Sequence, residues 1–286
     1  MKYKIVVGKT SGFCEGVSYT VKQAFELVNE KNSIVYCLGE IVHNEYVVSE
    51  LARMGTIFVD SIEDVPSNSK LIIRAHGATK ETYEKAKNKN INICDLTCGR
   101  IRVIRNKIEC HNNDFIVIIG KKDHPETCGT LSFCNDGFIL EDENDFDALE
   151  NSFNKSGKNS IYIVSQTTFN EDKFLYLCNK ITEKFEGYDV CSENTVCNAT
   201  HKRQEETKEI AKKVDCMIIV GGKKSSNTKE LFNIAKDNCE KAIIIQDKSN
   251  LDEYIDVFDG VRTIGIMAGA STPEITVKEV IAKFNV

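Results

Sequence analysis

The chain has 286 residues, 41% of them hydrophobic and 28% charged, and a formal net charge of −6. That length can bury a sizeable core and form two or three small domains, and the acidic balance argues against a nucleic-acid partner. The apolar run in MKYKIVVGKTSG is far too short for a signal peptide, and no stretch approaches the ~18 apolar residues of a membrane span; a cytoplasmic protein without a membrane partner is expected.

Short apolar runs alternate with helical patterns from end to end. In chain order the runs are YKIVVG, SIVYCLG, TIFV, LIIRAHG, INIC, FIVIIG, GFIL, IYIVS, YDVC, CMIIVG, KAIII and RTIGIMAG. This alternation predicts parallel sheet with crossover helices. Within it one pattern recurs three times. Cys14 follows YKIVVG, His43 stands in the loop after SIVYCLG, TIFV follows, and His76 ends LIIRAHG. Next, Cys98 follows INIC and precedes a helical segment with Ile101, Ile104 and Ile108 on one face. His124 then follows FIVIIG, GFIL comes after it, and Thr167 and Thr168 follow IYIVS. Last, Cys197 follows YDVC, Ser225, Ser226 and Asn227 follow CMIIVG, KAIII comes next, and Ser271 follows RTIGIMAG. The cysteines are 84 and 99 residues apart, and the first polar loop trails its cysteine by 29, 26 and 28 residues.

The pattern predicts an α/β fold of three divergent copies of a small domain. A strand within residues 1–13 leads into the first copy. The copies cover 14–97, 98–196 and 197–286, the last with a C-terminal helix. Ligands of open parallel sheets bind beyond the carboxyl ends of the strands. Three copies around a pseudo-threefold axis would point all these loops at one central site.

Twelve cysteines without any Cys-x-x-Cys, in a chain lacking a secretory signal, favour a metal or reactive site over a disulfide framework. Three converging thiolates suit an iron–sulfur cluster with one iron open to water or substrate. A Cys3His zinc site, with His43, His76 or His124 as fourth ligand, is the rival. One cysteine per copy is unlike the local ligand pairs of structural zinc, which favours the cluster. The other nine cysteines read as packing residues, including Cys128, because the repeat predicts Cys98 for that copy. The three loop histidines with Ser225, Ser226, Asn227 and Ser271 supply directional donors suited to a phosphate or diphosphate. Lys223 and Lys224 read as solvent-exposed, and His111 and His201 have no counterparts in the repeat. His124 and Glu126 echo the zinc deaminase His-x-Glu, but no Pro-Cys-x-x-Cys follows. Glu126 is the one carboxylate beside a loop histidine. Desolvated, it could carry a proton, with Thr167 passing that proton or orienting a hydroxyl; exposed, it would be an ordinary loop residue.

With these residues the chain resembles the 4-hydroxy-3-methylbut-2-enyl diphosphate reductases of the non-mevalonate isoprenoid pathway. The resemblance rests on GFCEGV, EIVHNEYVV, AHGAT, HPETCGT, SQTT, C-N-A-T-x-x-R-Q, KKSSNT and AGASTPE, in that order over effectively the whole chain. It implies a trefoil of three α/β domains around a [4Fe–4S] cluster. Cys14, Cys98 and Cys197 would be its ligands, and one iron would not be ligated by cysteine. It implies that His43, His76, His124, Ser225, Asn227 and Ser271, with Ser226 adjoining, anchor the diphosphate. It also implies that Glu126 relays a proton with help from Thr167. The implied reaction removes an allylic hydroxyl with two electrons and two protons, giving isopentenyl and dimethylallyl diphosphate. No G-x-G-x-x-G is present, so an external ferredoxin or flavodoxin is expected to supply the electrons.

The chain departs from the family pattern at two places. Gly99 and Arg100 follow Cys98 where proline is usual, and Lys-Lys-Asp precedes His124 in place of a glycine-rich approach. Quinolinate synthases share the three-unit, three-cysteine plan, but the HPE, QTT and SSN blocks argue against them. A non-catalytic carrier would close its cluster with four ligands and would not need a Glu126–Thr167 pair.

Overall fold

The computed structural model describes residues 3–30 and 34–284; the outermost ends of the predicted spans and the leading serine of SIVYCLG lie outside them. In chain order the elements are β1 (Lys4–Val7), α1 (Glu15–Asn29), β2 (Val35–Leu38), α2 (Glu45–Arg53), β3 (Ile57–Val59), β4 (Lys70–Ile73), α3 (Lys80–Asn88), β5 (Asn92–Asp95) and α4 (Gly99–Cys110). They continue with β6 (Phe115–Ile119), α5 (Pro125–Leu131), β7 (Gly137–Leu140), α6 (Phe146–Ser156), β8 (Ser160–Ser165), α7 (Glu171–Lys184) and β9 (Asp189–Ser192). The last are α8 (Asn198–Ala211), β10 (Cys216–Val220), α9 (Ser226–Asn238), β11 (Lys241–Ile245), β12 (Thr263–Ala268) and α10 (Glu274–Lys283). Each of the twelve predicted apolar runs overlaps a strand.

The strands form three four-stranded sheets, ordered β3-β2-β4-β5, β7-β6-β8-β9 and β11-β10-β12-β1, and every pairing is parallel. Each sheet has the same plan: the first and third strands of the repeat lie at the centre and the second and fourth at the edges. Central strands covered on both faces read as unbroken apolar runs, and all residues of β6 (FIVII) and β10 (CMIIV) are buried. The period-two alternation of strand side chains divides each sheet's contacts between its two faces. Phe115, Val117 and Ile119 face Leu149 and Phe153 of α6 and Phe174 and Leu177 of α7. Ile116 and Ile118 face Ile104 and Ile108 of α4. In the third sheet Ile218 and Val220 pack with Val277 and Val280 of α10, and Met217 and Ile219 with Ile210 of α8 and Leu231 of α9. Phe115 meets Phe153 edge-to-face at 5.5 Å, so truncating Phe153 should cost about 3–5 kcal/mol.

The start of the chain departs from the predicted layout. β1, read from sequence as a lead-in to the first copy, pairs with β12 in the register Val7↔Ile266 and is the fourth strand of the third sheet. The physical reason is topological: the edge beside the third strand, filled by β5 and β9 in the other two sheets, is filled here by β1, while β12 leads on into α10. Cys14 therefore follows a fourth strand, as Cys98 follows β5 and Cys197 follows β9.

By packing, the chain divides into two compact bodies, one of Met1–Lys22, Val42–Leu51 and Asn198–Val286, the other of Gln23–Ile41 and Ala52–Cys197. Among the described residues no helix is long and apolar enough to cross a membrane.

Candidate active site

The three cysteines share one local construction. In each sheet the backbone carbonyl two residues past the third strand accepts the amide of a cysteine. Cys98 N–H donates to Ala75 at 2.9 Å, Cys197 N–H to Thr167 at 2.9 Å and Cys14 N–H to Ala270 at 3.3 Å. Each cysteine then enters a helix. Cys98 is the N-cap of α4, Cys14 takes the amide of Val17 on its sulfur at 3.4 Å, and Cys197 directly precedes α8. None of the three is in a disulfide, and all are half-buried. Half-buried sulfurs at first helical turns, where backbone N–H groups favour anions, fit thiolate ligation of a metal centre. Desolvation pushes the buried thiols of Cys37, Cys178 and Cys216 up to about 12. Cys128 is exposed on α5 and donates its thiol to the carbonyl of Lys122 at 3.0 Å.

No proline is needed to shape the turn into α4. The Asp95 carboxylate accepts both the amide of Thr97, at 3.0 Å, and its hydroxyl, at 2.5 Å. Arg100 is exposed, which leaves its charge to solvent.

Cys98, Cys197, His76, His124, Glu126 and Thr167 belong to one body. There His124 caps α5, and its Nδ1 accepts the amide of Glu126 at 3.1 Å. Accepting at Nδ1 leaves the neutral ring's proton on Nε2. His76 meets that ring edge-to-face at 5.3 Å. Glu126 is 3% exposed. Its Oε1 accepts the amide of Thr167 at 2.6 Å and its Oε2 accepts the Thr167 hydroxyl at 2.8 Å. Burial raises the Glu126 carboxyl to about 7, against the opposing pull of those two bonds and of the Arg105 charge. A carboxylic acid in that range exists in both protonation states near neutral pH.

Cys14, His43, Ser225, Ser226, Asn227 and Ser271 belong to the other body. Ser225 caps α9, its Oγ accepting the amide of Thr228 at 3.3 Å. Ser226 is half-buried, and Lys223 and Lys224 are exposed as expected. Asn227 is 3% exposed, and among the described residues neither its Oδ1 nor its Nδ2 has a hydrogen-bond partner. Ser271 donates to the carbonyl of His43 at 3.2 Å. A side chain at Gly222 would begin 2.3 Å from that same carbonyl, so the two loops approach at a distance only glycine permits.

Two residues escaped the sequence reading. The cap of α2 is Asn44, whose Oδ1 accepts the amide of Val47 at 3.2 Å; an Asn just ahead of a periodic apolar segment is a readable start signal. Arg105 is 7% exposed on the apolar face of α4, between Ile104 and Ile108; a charge on an otherwise apolar stripe was its signal. His111 and His201 do other things. His111 pairs with Asp114 at 2.7 Å and stacks on Tyr162, and His201 pairs with Glu205 at 3.2 Å.

Three parallel-sheet domains, a buried acid at one helix start and an unsatisfied buried amide at another define an α/β enzyme. The chain belongs to the LytB protein family, whose model matches residues 5–285. It is 36% identical over 281 residues to the 4-hydroxy-3-methylbut-2-enyl diphosphate reductase of Clostridioides difficile, covering 97% of each chain. A solved structure of the E-1-hydroxy-2-methyl-but-2-enyl-4-diphosphate reductase from Plasmodium falciparum superposes with a TM-score of 0.90 at 29% identity, over 99% of this chain and 88% of that one. A second, described as (E)-4-hydroxy-3-methyl-but-2-enyl diphosphate reductase, the terminal enzyme of the non-mevalonate pathway, gives 0.69 at 34% identity over 99% of both.

Proposed function

We propose that this chain reductively removes the allylic hydroxyl of (E)-4-hydroxy-3-methylbut-2-enyl diphosphate. Two electrons and two protons enter, the C–O bond breaks, water leaves, and isopentenyl and dimethylallyl diphosphate form. Membership of the LytB family and near-complete likeness to reductases of that name support this. We assign as cofactor one [4Fe–4S] cluster with Cys14, Cys98 and Cys197 as ligands, so that one iron is not ligated by cysteine. The bound cluster supplies the redox chemistry, and the electrons reach it from an external ferredoxin- or flavodoxin-type donor in the cytoplasm.

The chain's own residues bind the diphosphate and handle protons. His43, His76, His124, Ser225, Ser226, Asn227 and Ser271 are assigned to the diphosphate. Ser225 spends an oxygen lone pair on its helix and keeps its hydroxyl proton to donate. Asn227 offers a donor and an acceptor that nothing else in the described chain uses. The N-terminus of α9 adds a favourable field for an anion. Glu126 gives the proton that lets the hydroxyl leave as water, while Thr167 holds both carboxyl oxygens and orients the leaving group.

The observation that carries the reading is Glu126, a buried acid whose two oxygens are held by Thr167 and whose carboxyl burial raises to about 7. The test is anaerobic purification with iron and sulfide analysis, followed by turnover of the allylic diphosphate with a chemical reductant. Formation of both isoprenoid diphosphates is expected; cluster-loaded protein that leaves the substrate intact would overturn the proposal.

A further inference from the structure

Arg105 is a buried cation, and among the described residues no carboxylate forms an ion pair with it. Its Nη2 donates to the carbonyl of Ala78 at 3.0 Å, and its guanidinium lies 4.5 Å over the ring of Phe133. Among the described residues its Nε has no hydrogen-bond partner. Burying such a charge is costly unless something compensates, so its position needs an account.

Two glycines make room for it. A Cβ on Gly77 would begin 2.3 Å from Nη2, and one on Gly129 would begin 3.1 Å from it. Gly77 also sits at φ +78°, where a side chain is disfavoured. Gly77 follows His76 in the loop after β4, and Gly129 lies on α5 one turn past Glu126. The guanidinium therefore occupies a cradle formed by the two segments that carry His76 and Glu126, and it bonds to the first of them through Ala78.

The charge also acts on Glu126. Among the described residues Arg105 is the one charged group that pulls on the Glu126 carboxyl, and it does so against burial. Thr167 is neutral, β7 carries no titratable side chain, and His124 stands at the start of the acid's own helix with His76 against it.

We propose that Arg105 is a positioning residue for Glu126: it ties the His76 loop to α5 and stabilises the carboxylate left when Glu126 gives up its proton. The inference rests on Glu126 being the proton donor. Donation from a buried acid creates a buried anion, and without a nearby cation that anion makes the donation uphill. A guanidinium held by a carbonyl, an aromatic face and two glycines provides the cation without competing for the carboxyl oxygens, both of which Thr167 already engages.

The test compares Arg105→Met, Arg105→Gln and Arg105→Lys in the cluster-loaded enzyme. Infrared titration of the Glu126 carboxyl band, assigned by its loss in Glu126→Gln, reads the coupling without reference to turnover. Loss of the charge in Arg105→Met and Arg105→Gln should move the titration midpoint up by about one pH unit and lower kcat about tenfold with little change in KM. The alkaline limb of the kcat profile should move with the midpoint. Arg105→Lys should restore most of the midpoint and part of the rate. If Arg105→Met does not fold, Arg105→Gln, which can still donate to Ala78, carries the measurement. An unmoved midpoint in the charge-removing variants overturns the proposal. Full turnover of Glu126→Gln would instead overturn the proton-donor reading, while the infrared midpoint would still report whether Arg105 acts on Glu126.

Discussion

The helices that begin at Pro125 and at Ser226 each start six residues beyond the end of the first strand of their sheets, and a side chain caps each: His124 in one, Ser225 in the other. Two residues past the cap, each buries a polar side chain to 3% exposure, Glu126 in one and Asn227 in the other. There the likeness ends. Both oxygens of Glu126 are engaged by Thr167, whereas neither polar atom of Asn227 is engaged by any described residue. An unmade buried hydrogen bond costs about 1–3 kcal/mol. On the proposed reading, the satisfied group is the reagent and the open one is kept for a ligand. At the corresponding place after His43, Glu45 is exposed and neither role is built.

The largest effect should come from breaking the reagent. Glu126→Gln preserves shape but removes the proton, and turnover should fall by about 10²–10⁴. Iron content and affinity for inorganic pyrophosphate should stay close to those of the parent. Unchanged turnover would take Glu126 out of the mechanism.

The pH response follows from the same burial. The donor must be protonated, so kcat should be flat below about 7 and fall tenfold per pH unit above it. Stability should follow the same sign. The folded chain holds the Glu126 proton more tightly than the unfolded chain does. This group's contribution is therefore fully present below the ordinary carboxylate range and is lost as pH rises through about 7. Glu126→Gln should remove that portion of the slope in a melting series; an unaltered slope would argue that the carboxyl is ionised throughout.

Asn227 sharpens the other side of the comparison. Asn227→Ala should raise KM about tenfold or more, the usual loss for hydrogen bonds to a charged group, with kcat within about threefold. Stability should not fall by more than about 1 kcal/mol, because the amide satisfies nothing in the described chain. A variant that melts early yet binds normally would make Asn227 a packing residue.

The strands were legible for a simple reason. Central strands covered on both faces need unmixed apolar runs, and FIVIIG and CMIIVG are such runs. Partner choice was not legible: nothing within KIVV says that it pairs with β12 rather than beginning the first domain, because that depends on which edge is vacant. The site divided in the same way. Residue types at strand ends, such as His124 and Ser225, stand out locally, whereas the state of Glu126 depends on Thr167, 41 residues away. Arg105 was the hardest case, since its partners are a carbonyl, a ring and two glycines, none of which marks a chemical motif.

Cys128 offers the smallest expected effect and still tests the comparison, because it shares α5 with the reagent and looks in sequence like a metal ligand beside His124. Its thiol is exposed and donates to the carbonyl of Lys122. It lacks the feature common to Cys14, Cys98 and Cys197, an amide bonded to the carbonyl two residues past a third strand. Cys128→Ser keeps a donor for Lys122, so iron content and turnover should match the parent, whereas Cys98→Ser should lose most of its iron. Equal iron loss in the two variants would mean that a cysteine two residues from the acid ligates the metal, and the equivalence of the three strand-end cysteines would then not determine ligation.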